Sequence, residues 1–293
     1  SHPYWDYKIK NKYYNYGYIT NSYKLSNYKN NILFKECCDV IKNSLLNAVK
    51  KRVQTTERPI ACLLSGGLDS SLITSLVNSI KKDKYNKLET YSIGFKGSQD
   101  LKYARIVADY LDTKHHEIIV EEKDFLDAIP KVIKTIESYD TTTVRASVGN
   151  YLVAKYISEN SEAKVIFNGD GSDEITGGYL YFHEAFKDFL PHEVLYRTKE
   201  AFSDGVSKQT RSWYEIIQEY VEKQNIECSK NYTHNKPTTK EQYYYRELFE
   251  KYYPNSEKVI PYFWMPRFVE ATDSSARTLN IYKKSNSNIN GEL

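Results

Sequence analysis

The stretch Ser65-Gly66-Gly67-Leu68-Asp69-Ser70-Ser71 brings glycines, hydroxyls and a carboxylate together between two apolar runs. Before it, Ile60-Ala61-Cys62-Leu63-Leu64 reads as a buried strand; after it, Leu72, Ile73, Leu76, Val77 and Ile80 have helical spacing. A Gly-rich turn that feeds a helix N-terminus aims backbone N–H groups, hydroxyls and the positive end of the helix dipole at one point, which is what an anionic phosphate needs. The stretch is a candidate phosphate loop, and because it lacks a Gly-Lys-Ser/Thr ending it is not of the Walker type. An ordinary Ser/Gly turn has the same composition, but the flanking strand and helix favour the phosphate loop.

A second loop, Asn168-Gly169-Asp170-Gly171-Ser172-Asp173-Glu174, follows the apolar run Lys164-Val165-Ile166-Phe167. Its carboxylates Asp170, Asp173 and Glu174 repel one another unless a cation or a proton offsets them. Alone it would read as a solvated acidic turn. Paired with the first loop, it points to a metal-assisted nucleotide site.

Both loops need a scaffold. Tyr91-Ser92-Ile93-Gly94-Phe95 and Ile118-Ile119-Val120 read as further strands; Ala104, Val107, Ala108 and Leu111 read as the helix between them. Two more helices follow, one with Phe125, Ile129, Val132, Ile133 and Ile136 and one with Val148, Tyr151, Leu152 and Tyr156. Pro130 kinks the first of these or marks a helix start. Strands separated by helices predict an α/β fold, a parallel sheet with right-handed crossovers and helices on both faces. Ligands bind such sheets at the carboxyl ends of the strands, so the loops after Leu64, Phe95 and Phe167 are expected to share one pocket.

Composition sets limits. The chain has 293 residues, enough for a sizeable core, and 41 Lys+Arg against 38 Asp+Glu give a net charge of +3, too small to argue for nucleic acid. No apolar stretch reaches the roughly 20 residues of a bilayer span and no signal segment opens the sequence, so a soluble, cytoplasmic protein is expected, with no membrane partner. The cysteines, Cys37, Cys38, Cys62 and Cys228, lack CxxC spacing, which argues against structural zinc or a disulfide framework. The 28 tyrosines carry no assigned function, and the polar tail Lys283-Lys284-Ser285-Asn286-Ser287-Asn288 reads as disordered.

The phosphate loop resembles that of the ATP pyrophosphatases, and longer stretches narrow the resemblance to the synthetase domain of glutamine-hydrolysing asparagine synthetases of the eukaryotic type. These stretches are Ala61 to Ser71, Asp100 to Arg105, Glu137 to Ser147 with Thr143-Val144-Arg145-Ala146-Ser147, Gly169 to Glu174, Lys199 to Gly205 with Phe202-Ser203-Asp204-Gly205, Lys240 to Arg246, and Tyr262-Phe263-Trp264-Met265-Pro266. The resemblance implies an adenine nucleotide alpha hydrolase-like fold with a helical C-terminal region. It divides the chain into residues 1–45, a junction after an absent glutaminase domain; 46–185, the ATP pyrophosphatase core; and 186–293, the helical region.

The implied activity is ATP-dependent amidation of aspartate through a β-aspartyl adenylate, with ATP and Mg²⁺ required and ammonia supplied free or from glutamine. Ser65, Gly66, Gly67 and Ser70 are implied for pyrophosphate, Leu63, Ile93, Asn168 and Gly169 for adenosine, and Asp69 and Asp173 for Mg²⁺. Lys199 is implied for the departing charge, Thr142, Thr143 and Arg145 for aspartate, and Asp170 as the base. Thr142 and Thr143 could equally be helix caps, and Arg145 or Lys199 surface charges. The family carries Glu where this chain has Asp170 and usually Ser where it has Asn168. It also carries a longer segment, with Arg-Val-Pro-Phe-Leu-Asp, between Phe186 and Lys187. A related adenylating amide-forming enzyme such as a β-lactam synthetase, or a degenerate nucleotide-binding partner, are the competing readings, and a homodimer is compatible with the resemblance.

Overall fold

The structure, a computed structural model, describes residues 32–81, 86–172, 180–198, 200–208, 210–266, 271, 273–275 and 278. The chain alternates helix α1 (Ile32–Gln54), strand β1 (Ile60–Leu63), α2 (Leu68–Lys81), β2 (Glu89–Phe95), α3 (Gln99–Leu111), β3 (Lys114–Val120), α4 (Glu122–Ile136), α5 (Thr141–Asn160) and β4 (Val165–Phe167). The helices α6 (Leu180–Ala185), α7 (His192–Leu195), α8 (Phe202–Gly205), α9 (Trp213–Lys223) and α10 (Lys240–Tyr252) follow. The four strands are parallel in the order β3-β2-β1-β4, which puts β1, and the phosphate loop that leaves it, in the interior of the sheet.

Period-two alternation in β1 divides the core. Ile60, Cys62 and Leu64 face a cluster built with Leu72, Leu76 and Val77 of α2, Val107 of α3 and Val49 of α1. Ala61 faces the opposite cluster, where Tyr91, Ile93 and Phe95 of β2 meet Phe125 and Ile129 of α4, Val144 and Val148 of α5, Trp213 of α9 and Phe249 of α10. Helices thus cover both faces, the arrangement that parallel strands require. Helix α1 runs without a break across residue 45, where the sequence reading divides junction from core.

Of the two readings of Pro130, the helix start is set aside: Pro130 lies inside α4, which starts eight residues earlier, where Glu121 and Asp124 form a reciprocal capping box and the Glu121 amide donates to Asp124 Oδ2 at 2.8 Å. One expectation needs correction. The loop after Phe95 does not join the pocket of the other two. The Phe95 amide donates to the Val206 carbonyl at 2.9 Å, so the segment after α8 closes over that strand end. Lys96 instead borders a separate cavity with Val120, Glu122, Lys208 and Arg211. The polar tail lies outside the described residues. No described helix is long and apolar enough to cross a membrane.

Candidate functional site

The phosphate loop holds its shape through its own hydroxyls. The Ser65 amide donates to Ser70 Oγ at 3.2 Å, the two serine hydroxyls lie 3.0 Å apart, and Ser70 Oγ donates to the Gly67 carbonyl at 3.2 Å. Gly66 is required on two grounds. It has φ +72°, and a Cβ there would sit 2.4 Å from the Ala104 amide nitrogen of α3. The loop is therefore pressed against α3 while α2, with Asp69 in its first turn, starts immediately beyond it. Gly169 performs the same service from the second loop, since its Cβ would lie 2.5 Å from the Ser70 nitrogen. Only glycine lets the β4 loop lie directly on the backbone of the phosphate loop.

Two adjoining cavities open at this junction. One, of about 430 Å³, is lined by Ser65, Gly67, Asp69 and Ser70, by Gly169, Asp170 and Gly171, and by Asp100, Arg197, Thr198, Glu200 and Phe202. The other, of about 310 Å³, has a more apolar wall in Leu63, Ile93, Ala146 and Val153, with Asn150, Asn168 and Gly169 at its polar edge. Ser65, Ser70, Gly169, Asp170 and Phe202 line both. A polar compartment and an apolar one meet at the phosphate loop, which fits a molecule with a polyanionic end and a flat heterocyclic end.

The sequence-predicted residues separate into three groups. Leu63, Ser65, Gly67, Asp69, Ser70, Ile93, Asn168, Gly169 and Asp170 line one or both cavities, with Gly66 packed directly behind them. Asn168 Nδ2 donates to Asp170 Oδ2 at 3.0 Å, so these two residues of the β4 loop contact each other. Asp173 and Lys199 lie outside the described residues, although Thr198 and Glu200, on either side of Lys199, both line the polar cavity.

Thr142, Thr143 and Arg145 line neither cavity. Thr143 is bound up in the start of α5, donating its amide and hydroxyl to Asp140 Oδ2 at 3.0 and 2.8 Å. Thr142 is half-buried one residue earlier on α5. Arg145 is neither a surface charge nor a free carboxylate receptor. Its side chain is 4% exposed; Nε donates to Glu241 Oε1 at 2.8 Å, Nη1 to Asp273 Oδ1 at 2.6 Å and Nη2 to Asp273 Oδ2 at 3.0 Å. With a further bond from Nη2 to Glu241 and one from Nη1 to Ser274 Oγ, all five N–H groups are used. Burial alone would lower its pKa, but Glu241 and Asp273 hold it well above the ordinary value.

Sequence reasoning missed Asp100, Arg197 and the lining of α5. Arg197 is 7% exposed; Nη2 donates to Asp100 Oδ1 at 2.7 Å, Nη1 donates to the Ser65 carbonyl at 3.2 Å, and the guanidinium lies 4.5 Å from the Tyr103 ring centre. Burial pushes the Asp100 carboxyl up to about 6 despite the opposing pull of Arg197. A lone arginine in a helical region has no spacing to mark it. Its proximity to Lys199 was the available signal.

Fold and site together define a parallel α/β protein with a Ser/Gly loop between β1 and α2 at a bipartite cavity. Residues 40–185 and 180–278 match the family model described as asparagine synthase. The glutamine-hydrolysing asparagine synthetase of Gallus gallus is 38% identical over 317 aligned positions, covering 81% of this chain and 56% of that protein. That of Homo sapiens is 37% identical over 329 positions, covering 84% and 58%. The chain belongs to the asparagine synthase family, and it spans a little over half the length of these curated relatives. The family match falls into two parts that overlap at residues 180–185. Among solved structures, an NMN synthetase from Francisella tularensis aligns at TM-score 0.43 and 14% identity over 79% of this chain and 99% of that one.

Proposed function

We propose that the chain amidates aspartate, activating its side-chain carboxylate with ATP and passing the resulting acyl adenylate to ammonia to give asparagine, AMP and pyrophosphate. The observation that carries this reading is the pair of cavities sharing Ser65, Ser70, Gly169, Asp170 and Phe202, which lets one nucleotide place its base by Ile93 and Leu63 and its phosphates by the loop. Family membership supplies the choice of substrate.

The polar cavity carries Asp69, Asp100, Asp170 and Glu200 against one described cation, Arg197. A triphosphate entering such a wall needs a counter-cation. An oxygen-only donor set suits Mg²⁺, which binds through one or two carboxylates together with substrate phosphates. Asp69, with Asp173, would hold it; when bound, it neutralises charge on the phosphates and on the departing pyrophosphate.

The chain's own groups account for the remaining requirements. Loop amides and the Ser65 and Ser70 hydroxyls orient the phosphates, Lys199 opposes the charge that builds on the leaving group, and Asp170 takes the proton released when ammonia attacks the acyl carbonyl. Asp170 is one methylene shorter than the family's glutamate, and the Asn168 amide fixes its direction. The protein works in the cytoplasm, with free ammonia or with ammonia released from glutamine by a further domain.

The test is pyrophosphate release from ATP with Mg²⁺, with and without aspartate. One observation favours a second reading, a nucleotide-binding partner that forms no amide: every N–H of Arg145 is already taken by protein oxygens, leaving none for a substrate carboxylate. ATP binding without aspartate-dependent pyrophosphate release selects that reading.

A further inference from the structure

The polar cavity contains a buried guanidinium that the family resemblance did not call for. Arg197 uses one Nη1–H on the Ser65 carbonyl and its Nη2–H groups on Asp100 and, at 3.5 Å, Glu200. Among the described residues its Nε–H and second Nη1–H have no acceptor, although the side chain is 7% exposed and lines the cavity. A buried guanidinium with unused donors beside this loop is poised to donate charge-assisted hydrogen bonds to anionic oxygens.

Its surroundings hold it in place. Tyr103 lies against one face at 4.5 Å from ring centre to guanidinium carbon. Asp100, which anchors Nη2, is seated against Gly205, where a Cβ would be 2.4 Å from Asp100 Oδ1. The same α3 backbone presses on Gly66. The phosphate loop, α3 and α8 therefore fix the guanidinium together.

We propose that Arg197 is a phosphate-binding residue of this site, donating a free N–H, at Nε or Nη1, to an oxygen of the pyrophosphate portion of the nucleotide, with Asp100 as its positioning residue. This rests on the nucleotide part of the proposed function and not on the amide-forming step. Because Asp100 already offsets the charge, Arg197 contributes directed hydrogen bonds more than net attraction.

The experiment is titration calorimetry of the full chain with inorganic pyrophosphate, and separately with AMP, in Mg²⁺ buffer. Arg197→Met should weaken pyrophosphate binding about tenfold to a hundredfold, the size of one charge-assisted bond, while AMP affinity stays within about twofold. Arg197→Lys should recover only part of the loss, because a compact ammonium cannot keep the bonds to Ser65 and Asp100 and still direct an N–H at the ligand. If Arg197→Met does not fold, the neutral pair Arg197→Met with Asp100→Asn removes the stranded carboxylate and is read the same way. Unchanged pyrophosphate affinity, equal weakening of pyrophosphate and AMP, or a wild-type chain that does not bind pyrophosphate would each overturn the inference. A wild-type chain that binds pyrophosphate through Arg197 but releases none from ATP and aspartate would sink the amidation reading alone.

Discussion

Arg145 shows how one residue type can carry two roles that sequence cannot separate. Its place in a narrow motif suggested a receptor for a substrate carboxylate; the structure gives it two protein carboxylates from distant segments, Glu241 of α10 and Asp273. Removing the guanidinium strands both acids in a buried place, so Arg145→Met should cost about 3–5 kcal/mol of stability, read from the denaturant midpoint. A variant of normal stability with a raised aspartate KM would restore the receptor role. Asp170 carries the opposite expectation. Asp170→Ala should leave the fold intact and lower asparagine formed per pyrophosphate released, by up to the roughly 10²–10⁴-fold of a positioned base. Asp170→Glu should raise that ratio above wild type. An Asp170→Ala variant with the wild-type ratio would reduce the loop to a structural turn.

At the scale of elements, the strands and the Ser/Gly loop between β1 and α2 were legible because a parallel sheet buried on both faces writes apolar runs between glycine-bearing loops. Bounds were less so: β3 starts at Lys114, four residues before the apolar run, because its pairing with β2 extends from Glu89↔Lys114 to Phe95↔Val120 and takes in polar residues. Contact between the loops could not be read from either one. Gly169→Ala should push the loops apart, costing about 1–3 kcal/mol as overpacking does and weakening nucleotide binding with it; calorimetry with AMP and a melting curve check both. The β2–β3 pair also predicts acid sensitivity. Burial, aided by the charge of Arg105, lowers the His115 pKa from 6.5 to about 4, and its ring nitrogens contact the Thr90 and Ser92 hydroxyls. The unfolded chain then binds the extra proton between these values, so stability falls as pH falls from about 6.5 to about 4. His115→Gln should flatten that part of the stability profile, by on the order of 1 kcal/mol; an identical profile would remove His115 as its source.

For the whole molecule, three segments distant in sequence converge on one cavity: the β1 loop, the β4 loop, and Arg197 and Thr198 with Glu200 to Phe202. The first two were legible from spacing. The third was not, because it reaches the site by passing over α3 and no periodicity records that path. The central claim is that this convergence activates aspartate with ATP, and the most direct measurement is a coupled assay of pyrophosphate released by the full chain from ATP and Mg²⁺. Release that requires aspartate, and that falls by orders of magnitude in an Asp69→Asn variant with an unchanged circular dichroism spectrum, is the predicted result. Equal release with and without aspartate would contradict it.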